Sequence, residues 1–193
     1  MNEWQDLRVD SKRLWQRLEE LGEIGAVHGP NGERGCARLA LTDLDRQGRD
    51  LVVQWAKAEG LAVTVDAIGN VFMRREGANP NLPPVVTGSH IDTQPTGGKF
   101  DGNYGVLAGL EVVRTLNERG IRTEAPIEVA FWTNEEGSRF VPVMMGSGVF
   151  CGAFSLETAY AARDVDGKSV GEELERIGYR GSQTPGDHPI GAY

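Results

Sequence analysis

The chain has 193 residues, of which 39% are apolar and 25% charged, and a formal net charge of −8. This is enough to bury one ordinary core, so a single folded domain is expected rather than a disordered tail. The acidic balance leaves no basic stripe to release counterions, which excludes nucleic-acid and anionic-membrane partners, and no apolar run approaches a membrane span. The opening residues Met1-Asn2-Glu3-Trp4-Gln5-Asp6 lack a basic segment followed by an apolar one, so no secretion signal is expected. Cys36 and Cys151 form neither a zinc spacing nor a CxxC pair and read as reduced thiols of a cytoplasmic protein.

Asp10-Ser11 open a helix whose Leu14, Leu18 and Leu21 share one stripe, and Gly22 and Gly25 end it. Residues 26–41 are rich in glycine and turn formers and read as an ordered loop. Thr42 with Asp45 three residues on resembles an N-cap with an acidic partner, opening a helix to about Glu59 that stops at Gly60. Leu61–Asp66 and Asn70–Arg75 are β-rich runs around Ile68-Gly69, a candidate hairpin. Pro84–Ser89 has the length of a buried strand, Asn103–Arg119 the spacing of a helix, and Ile127–Thr133 is again β-rich. Strand, loop, helix, strand is a βαβ pattern, for which a parallel right-handed crossover is expected. Helices near Ser155–Arg163 and Ser169–Ile177 follow, then a polar, turn-rich stretch over Gly181–Pro189. No repeat, low-complexity segment or second domain is marked.

Chemistry concentrates where predicted strands end. His90 alone reads more readily as a surface or hydrogen-bonded histidine than as a ligand. Asp92, two residues on in an extended segment, points the same way and could hold the second ring nitrogen, as carboxylates behind metal-bound imidazoles do. It could equally be a turn cap. Asp101 lies between glycines in Gly97-Gly98-Lys99-Phe100-Asp101-Gly102 and just before a helix, so ligand and plain N-cap both stand. A phosphate loop does not, because Gly98-Lys99 is not followed by Ser or Thr. Glu135-Glu136 follow a strand, where adjacent carboxylates diverge: one could bind metal and the other serve as base, or both could be solvated acids. The crevice beyond the strands' carboxyl ends is the usual ligand site of α/β sheets.

Taken together, Gly88-Ser89-His90-Ile91-Asp92-Thr93-Gln94-Pro95, Gly98-Lys99-Phe100-Asp101-Gly102 and Asn134-Glu135-Glu136-Gly137-Ser138-Arg139-Phe140 resemble the hydantoinase/carbamoylase-type amidohydrolases of the M20 metallopeptidase superfamily. Relatives there include N-carbamoyl-L-amino-acid hydrolase, β-ureidopropionase and allantoate amidohydrolase. The motifs are specific for the family and poorly specific for the substrate. The resemblance implies an α/β fold: a three-layer catalytic domain with a mostly parallel mixed sheet. Residues 1–193 would form the N-terminal portion of that metal-binding domain, incomplete because the chain stops early. It implies two divalent cations, Zn²⁺, Mn²⁺, Co²⁺ or Ni²⁺. His90 would bind one, Asp101 bridge both, Glu136 bind the other, Glu135 act as general base and Asp92 orient His90. It also implies a cis peptide at Asp101-Gly102, strained by about 3 kcal/mol.

Members of the family continue past the position of Tyr193. A further His ligand in a His-x-Glu-Gln segment, a last His ligand, and a lid domain that makes the homodimer would lie there. His188 is a weak substitute in a turn, and His28 lacks a ligand partner in sequence. The implied activity is hydrolysis of the C–N bond of N-carbamoyl amino acids, with little turnover by this chain alone. Thr93-Gln94-Pro95 and Trp132-Thr133-Asn134 lean to the carbamoylase side. Allantoate hydrolysis, an M20-type peptidase and a non-catalytic metal- or partner-binding remnant are the alternatives. A Ser or Cys nucleophile is poorly supported, since neither Cys36 nor Cys151 has a recognisable His partner in sequence.

Overall fold

The computed structural model describes residues 6–193; all of the opening hexapeptide except Asp6 lies outside them. The first helix, α1 (Ser11–Glu23), starts where Asp10 accepts hydrogen bonds from the amides of Lys12 and Arg13. That cap satisfies two of the four amides a helix start leaves open. Residues expected as plain loop contain a short antiparallel hairpin, β1 (Ala26–His28) and β2 (Arg34–Cys36). Three-residue strands are too short to show an alternating pattern. The next helix, α2 (Asp43–Ala58), is capped by the Thr42 hydroxyl on the Asp45 amide. The Asp45 carboxylate does not complete a capping box. It accepts from the Leu41 amide at 2.7 Å and the Arg49 guanidinium at 2.8 Å, fully buried.

The expected hairpin is present as β3 (Ala62–Val65) and β4 (Val71–Arg75), with Val65 opposite Val71. The expected βαβ unit follows: β5 (Val85–Ser89), α3 (Asn103–Glu118) and β6 (Ile127–Phe131). Strands β5 and β6 pair in parallel, Val85 opposite Ile127 and Ser89 opposite Phe131. The sheet order is β3-β4-β6-β5, an α/β mixed sheet in which the other two pairings are antiparallel. Three short helices close the described chain: α4 (Met145–Phe150), α5 (Leu156–Ala161) and α6 (Val170–Ile177). The last opens on a full capping box between Ser169 and Glu172.

Side-chain alternation sorts the sheet into two faces. Val71, Met73, Val129 and Phe131 join the main core with residues from every helix. Phe72, Val86, Ala130 and Trp132 form a smaller cluster on the opposite face, against Phe150 and Ile190. Ala192 lies beside Val85 on the outer edge of β5.

A buried ion-pair knot ties α6 to the loop after β6. Arg139 reaches Glu173 at 2.6 Å, Asp164 at 3.0 Å and the Ala40 carbonyl at 2.9 Å, while Arg176 meets the same Glu173 at 2.8 Å. Hydrogen bonds from Arg176, then Arg139, hold the Glu173 carboxyl down at about 2, against the burial that raises it. A carboxyl depressed on folding stabilises above its unfolded value, near 4.5, and loses that contribution as pH falls toward 2. Glu173→Gln is expected to cost about 2 kcal/mol at pH 7 and progressively less below pH 4. Urea unfolding midpoints across pH 2–7 check this.

Candidate metal centre

Parallel pairing sends the chain out of β5 and β6 at the same edge of the sheet, and one further bond, Trp132 amide to Ser89 carbonyl at 2.9 Å, extends the ladder. His90 follows β5 directly, Glu135 and Glu136 follow β6, and Asp101 precedes the N-terminus of α3 over that edge. His90 and Asp92 are buried, Asp92 to 2% exposure.

Nδ1 of His90 lies 2.8 Å from the carbonyl oxygen of Asp92. A carbonyl only accepts, so Nδ1 carries the proton. The other nitrogen, Nε2, then faces outward. It stands 3.4 Å from Oε2 of Glu135 and 3.9 Å from Oδ1 of Asp101. The Asp92 carboxylate, expected to grip the imidazole, is 3.7 Å from Nδ1 and does other work. Its Oδ1 accepts from the Glu135 amide and its Oδ2 from the Glu136 amide, each at 3.2 Å. Asp92 therefore orients His90 by its main chain and the acidic loop by its side chain. Burial, and then the charge of Asp45, push its carboxyl up to about 6, with His90 and the two amides pulling the other way.

Adjacent acids diverge. Glu135 turns to His90, whereas Oε2 of Glu136 accepts from the side-chain amide of Gln94 at 3.1 Å. Asn134 takes positive φ (51°) between strand and acids, and its side chain donates to the Phe140 carbonyl at 2.8 Å. Asp101 is not the helix cap: Gly102 is, without a side-chain bond. The Asp101 side chain is 71% exposed and faces the imidazole. The cis bond expected at Asp101-Gly102 is not there. Among the described residues the cis peptide is Val141-Pro142, and the turn before α3 is made instead by Gly102 at φ +67°. His188 is engaged elsewhere, 2.5 Å from Glu128 and stacked on Phe72 at 4.0 Å. His28 is exposed at the end of β1.

Among the described residues, no three His, Cys, Asp or Glu side chains form a ready-made ion cage. The donors nevertheless suit a divalent cation in kind. A lone pair on Nε2 and two carboxylates face one space with no donor between them, an arrangement that repels unless a proton or a cation sits there. Glycine keeps that space open: a Cβ on residue 102 would lie 2.5 Å from both Nε2 and Cε1 of His90. Sequence reading named Gln94 within a motif but gave it no task. A polar side chain two residues beyond the His-x-Asp pair was the available signal.

Residues 86–178 match the model of peptidase family M20/M25/M40. An N-carbamoyl-L-amino-acid amidohydrolase of Rhizobium meliloti is 51% identical over 96% of the chain and 44% of its own length. A crystal structure of a hydantoinase/carbamoylase-family amidase from Burkholderia multivorans superposes with a TM-score of 0.91. It shows 61% identity over 95% of this chain and 44% of that one. A ureidoglycolate hydrolase of Arabidopsis thaliana is 35% identical over 90% of the chain and 36% of its length. The chain thus spans less than half the length of these relatives.

Gly102→Ala is expected to lower the affinity for added Zn²⁺ by at least about tenfold, because the new methyl enters the space before Nε2. Its positive φ also costs stability, at least about 1 kcal/mol. Calorimetric Zn²⁺ titration beside a thermal melt separates the two effects, and unchanged affinity in a folded variant would place any ion elsewhere.

Proposed function

We propose that these residues are the N-terminal portion of a metal-binding catalytic domain whose whole protein hydrolyses the C–N bond of N-carbamoyl amino acids. The observation that carries this reading is the outward Nε2 of His90, facing the carboxylates of Glu135 and Asp101. His90 would hold one cation, Glu136 a second, and Asp101 both, with Zn²⁺, Mn²⁺, Co²⁺ or Ni²⁺ as suitable ions. Such ions supply Lewis-acid polarisation of the ureido carbonyl and bring the pKa of a water toward about 7.

The chain's own residues have separate tasks. Glu135, partly exposed and aimed at the imidazole, takes a proton from the attacking water and returns it to the leaving nitrogen. Asp92 holds the Glu135 and Glu136 amides and the His90 ring at once, so base and ligands keep a fixed spacing. With an N-carbamoyl amino acid and one water, the products are the amino acid, carbon dioxide and ammonia. The free Cys36 and Cys151 suit a cytoplasmic protein acting on a small soluble substrate, and no helix among the described residues is long and apolar enough to cross a membrane. A ureidoglycolate-hydrolase relative favours a second reading, in which the same site cuts a ureido bond on another small acid.

Within a chain of the relatives' length, Glu135→Gln is expected to lower kcat by at least about 100-fold with metal content unchanged. Ammonia release from N-carbamoyl-L-amino acids, with metal analysis of the same sample, checks it; retained turnover would put the base elsewhere. The 193-residue chain assayed alone is expected to bind Zn²⁺ weakly, through His90, and to release little ammonia. Robust turnover by it would show that the donors in residues 1–193 suffice.

A further inference from the structure

Behind the candidate centre lies a guanidinium with no solvent and no hydrogen-bonded carboxylate. Arg38 is 0% exposed. Its donors go to neutral acceptors: Nη1 to the carbonyls of Leu21 (2.8 Å) and Ile24 (2.7 Å), which close α1, and to Sγ of Cys36 at 3.4 Å. Nε goes to the carbonyl of Ile91 at 3.0 Å, and Nη2 to Oδ1 of Asn103 at 2.9 Å. The backbone of the same residue pairs with Thr93, amide to hydroxyl at 2.8 Å and carbonyl from amide at 2.9 Å. Room for the side chain comes from α2, where a Cβ on Gly48 would lie 2.9 Å from Cδ of Arg38. Burial lowers the Arg38 pKa, opposed by Cys36, Asp45 and Asp92.

Burying a charge this completely is expensive, and core packing alone would be served better by an apolar side chain. What the planar fork offers is fixed angles. Ile91 sits between His90 and Asp92. Asn103 opens α3, donates its side-chain amide to the Lys99 carbonyl at 2.8 Å and its backbone amide to the Asp101 carbonyl at 2.7 Å. One guanidinium therefore joins the segment carrying His90 to the segment carrying Asp101. We propose that Arg38, acting through Ile91 and Asn103, is a positioning residue that sets the separation of the His90 and Asp101 ligand segments. The inference rests on the metal-binding reading of that site.

Lysine cannot reproduce this role, because a single ammonium cannot span Ile91, Asn103 and the end of α1 with fixed geometry. The test is Zn²⁺ titration of the 193-residue chain, with the visible spectrum of the Co²⁺-loaded protein as a report on ligand geometry. Wild type, Arg38→Lys, Asn103→Ala and the ligand control His90→Ala are compared well below each melting temperature. Both Arg38→Lys and Asn103→Ala are expected to fold, to bind Zn²⁺ about 10–100-fold more weakly than wild type, and to alter the Co²⁺ spectrum. Should Arg38→Lys fail to fold, Asn103→Ala decides. Folded variants that bind as wild type does, while His90→Ala abolishes binding, would overturn the inference and leave the metal reading intact. No His90-dependent binding in the wild type would remove the metal reading, and this inference with it.

Discussion

Everything at the candidate centre depends on the parallel register of β5 against β6. Ser89 opposite Phe131 brings two loops out of neighbouring strands at one edge, and the crossover helix α3 returns its N-terminus to that edge. Residues 90, 101 and 135, distant in sequence, become neighbours by that single constraint. A slip of one residue would reverse the faces of β6, exchanging Val129 and Phe131 of the main core for Glu128 and Ala130. Hydrophobic burial on the two unequal faces thus enforces the geometry of the polar site.

The edge so formed is rich in acceptors and short of donors. Asp92 is buried with its carboxyl pushed up, Glu135 and Asp101 face a ring nitrogen whose partner already holds the proton, and Oδ1 of both Asp45 and Asn134 is buried without a hydrogen-bond partner. The compensating positive charges are fixed ones. The N-terminus of α3 presents its dipole beside Asp101, and the buried Arg38 stands within Coulombic reach of Asp45 and Asp92. A surface salt bridge would be screened and contribute little, whereas charges held in this way act at low dielectric. Such an excess of oriented acceptors is what a cation-binding edge requires and what a site designed only for stability would avoid.

Local chemistry was the most legible part of the sequence. Asp10, Thr42 and Ser169 announce helix starts that the structure realises, and the β3–β4 hairpin and the βαβ unit follow their hydrophobic patterns. The short hairpin β1–β2 and the helix α4 were not legible, because three- and six-residue elements carry too little periodicity and depend on tertiary partners such as the Cys36–Gly97 bridge. At the site, the order His-x-Asp, Asp, Glu-Glu was readable, and so was the nearness of His90 to Asp101; the second acid expected beside them was Glu136, which faces Gln94 instead, while Glu135 stands beside the ring. The partner of the Asp92 carboxylate was not: an extended segment suggests the imidazole, while two amides 43 and 44 positions away win it. Arg38 left only a faint trace, one cation inside the run Cys36-Ala37-Arg38-Leu39-Ala40-Leu41.

That division follows from range. Caps, turns and period-two runs are decided by neighbours within a few residues, so a sequence displays them. Which of two adjacent carboxylates turns inward is decided by the backbone between them, and here that backbone is set from outside. Asp92 accepts the amides of both Glu135 and Glu136, so neither residue can rotate its peptide without breaking a buried bond to a carboxylate. Asn134, at positive φ and tied to the Phe140 carbonyl, fixes the loop from the other side. Glu135 is left facing His90, and Glu136 is left facing Gln94 on the loop that follows His90. Two chemically identical side chains take different directions because one buried acid, supplied by the segment that follows β5, dictates the path of the main chain that carries them.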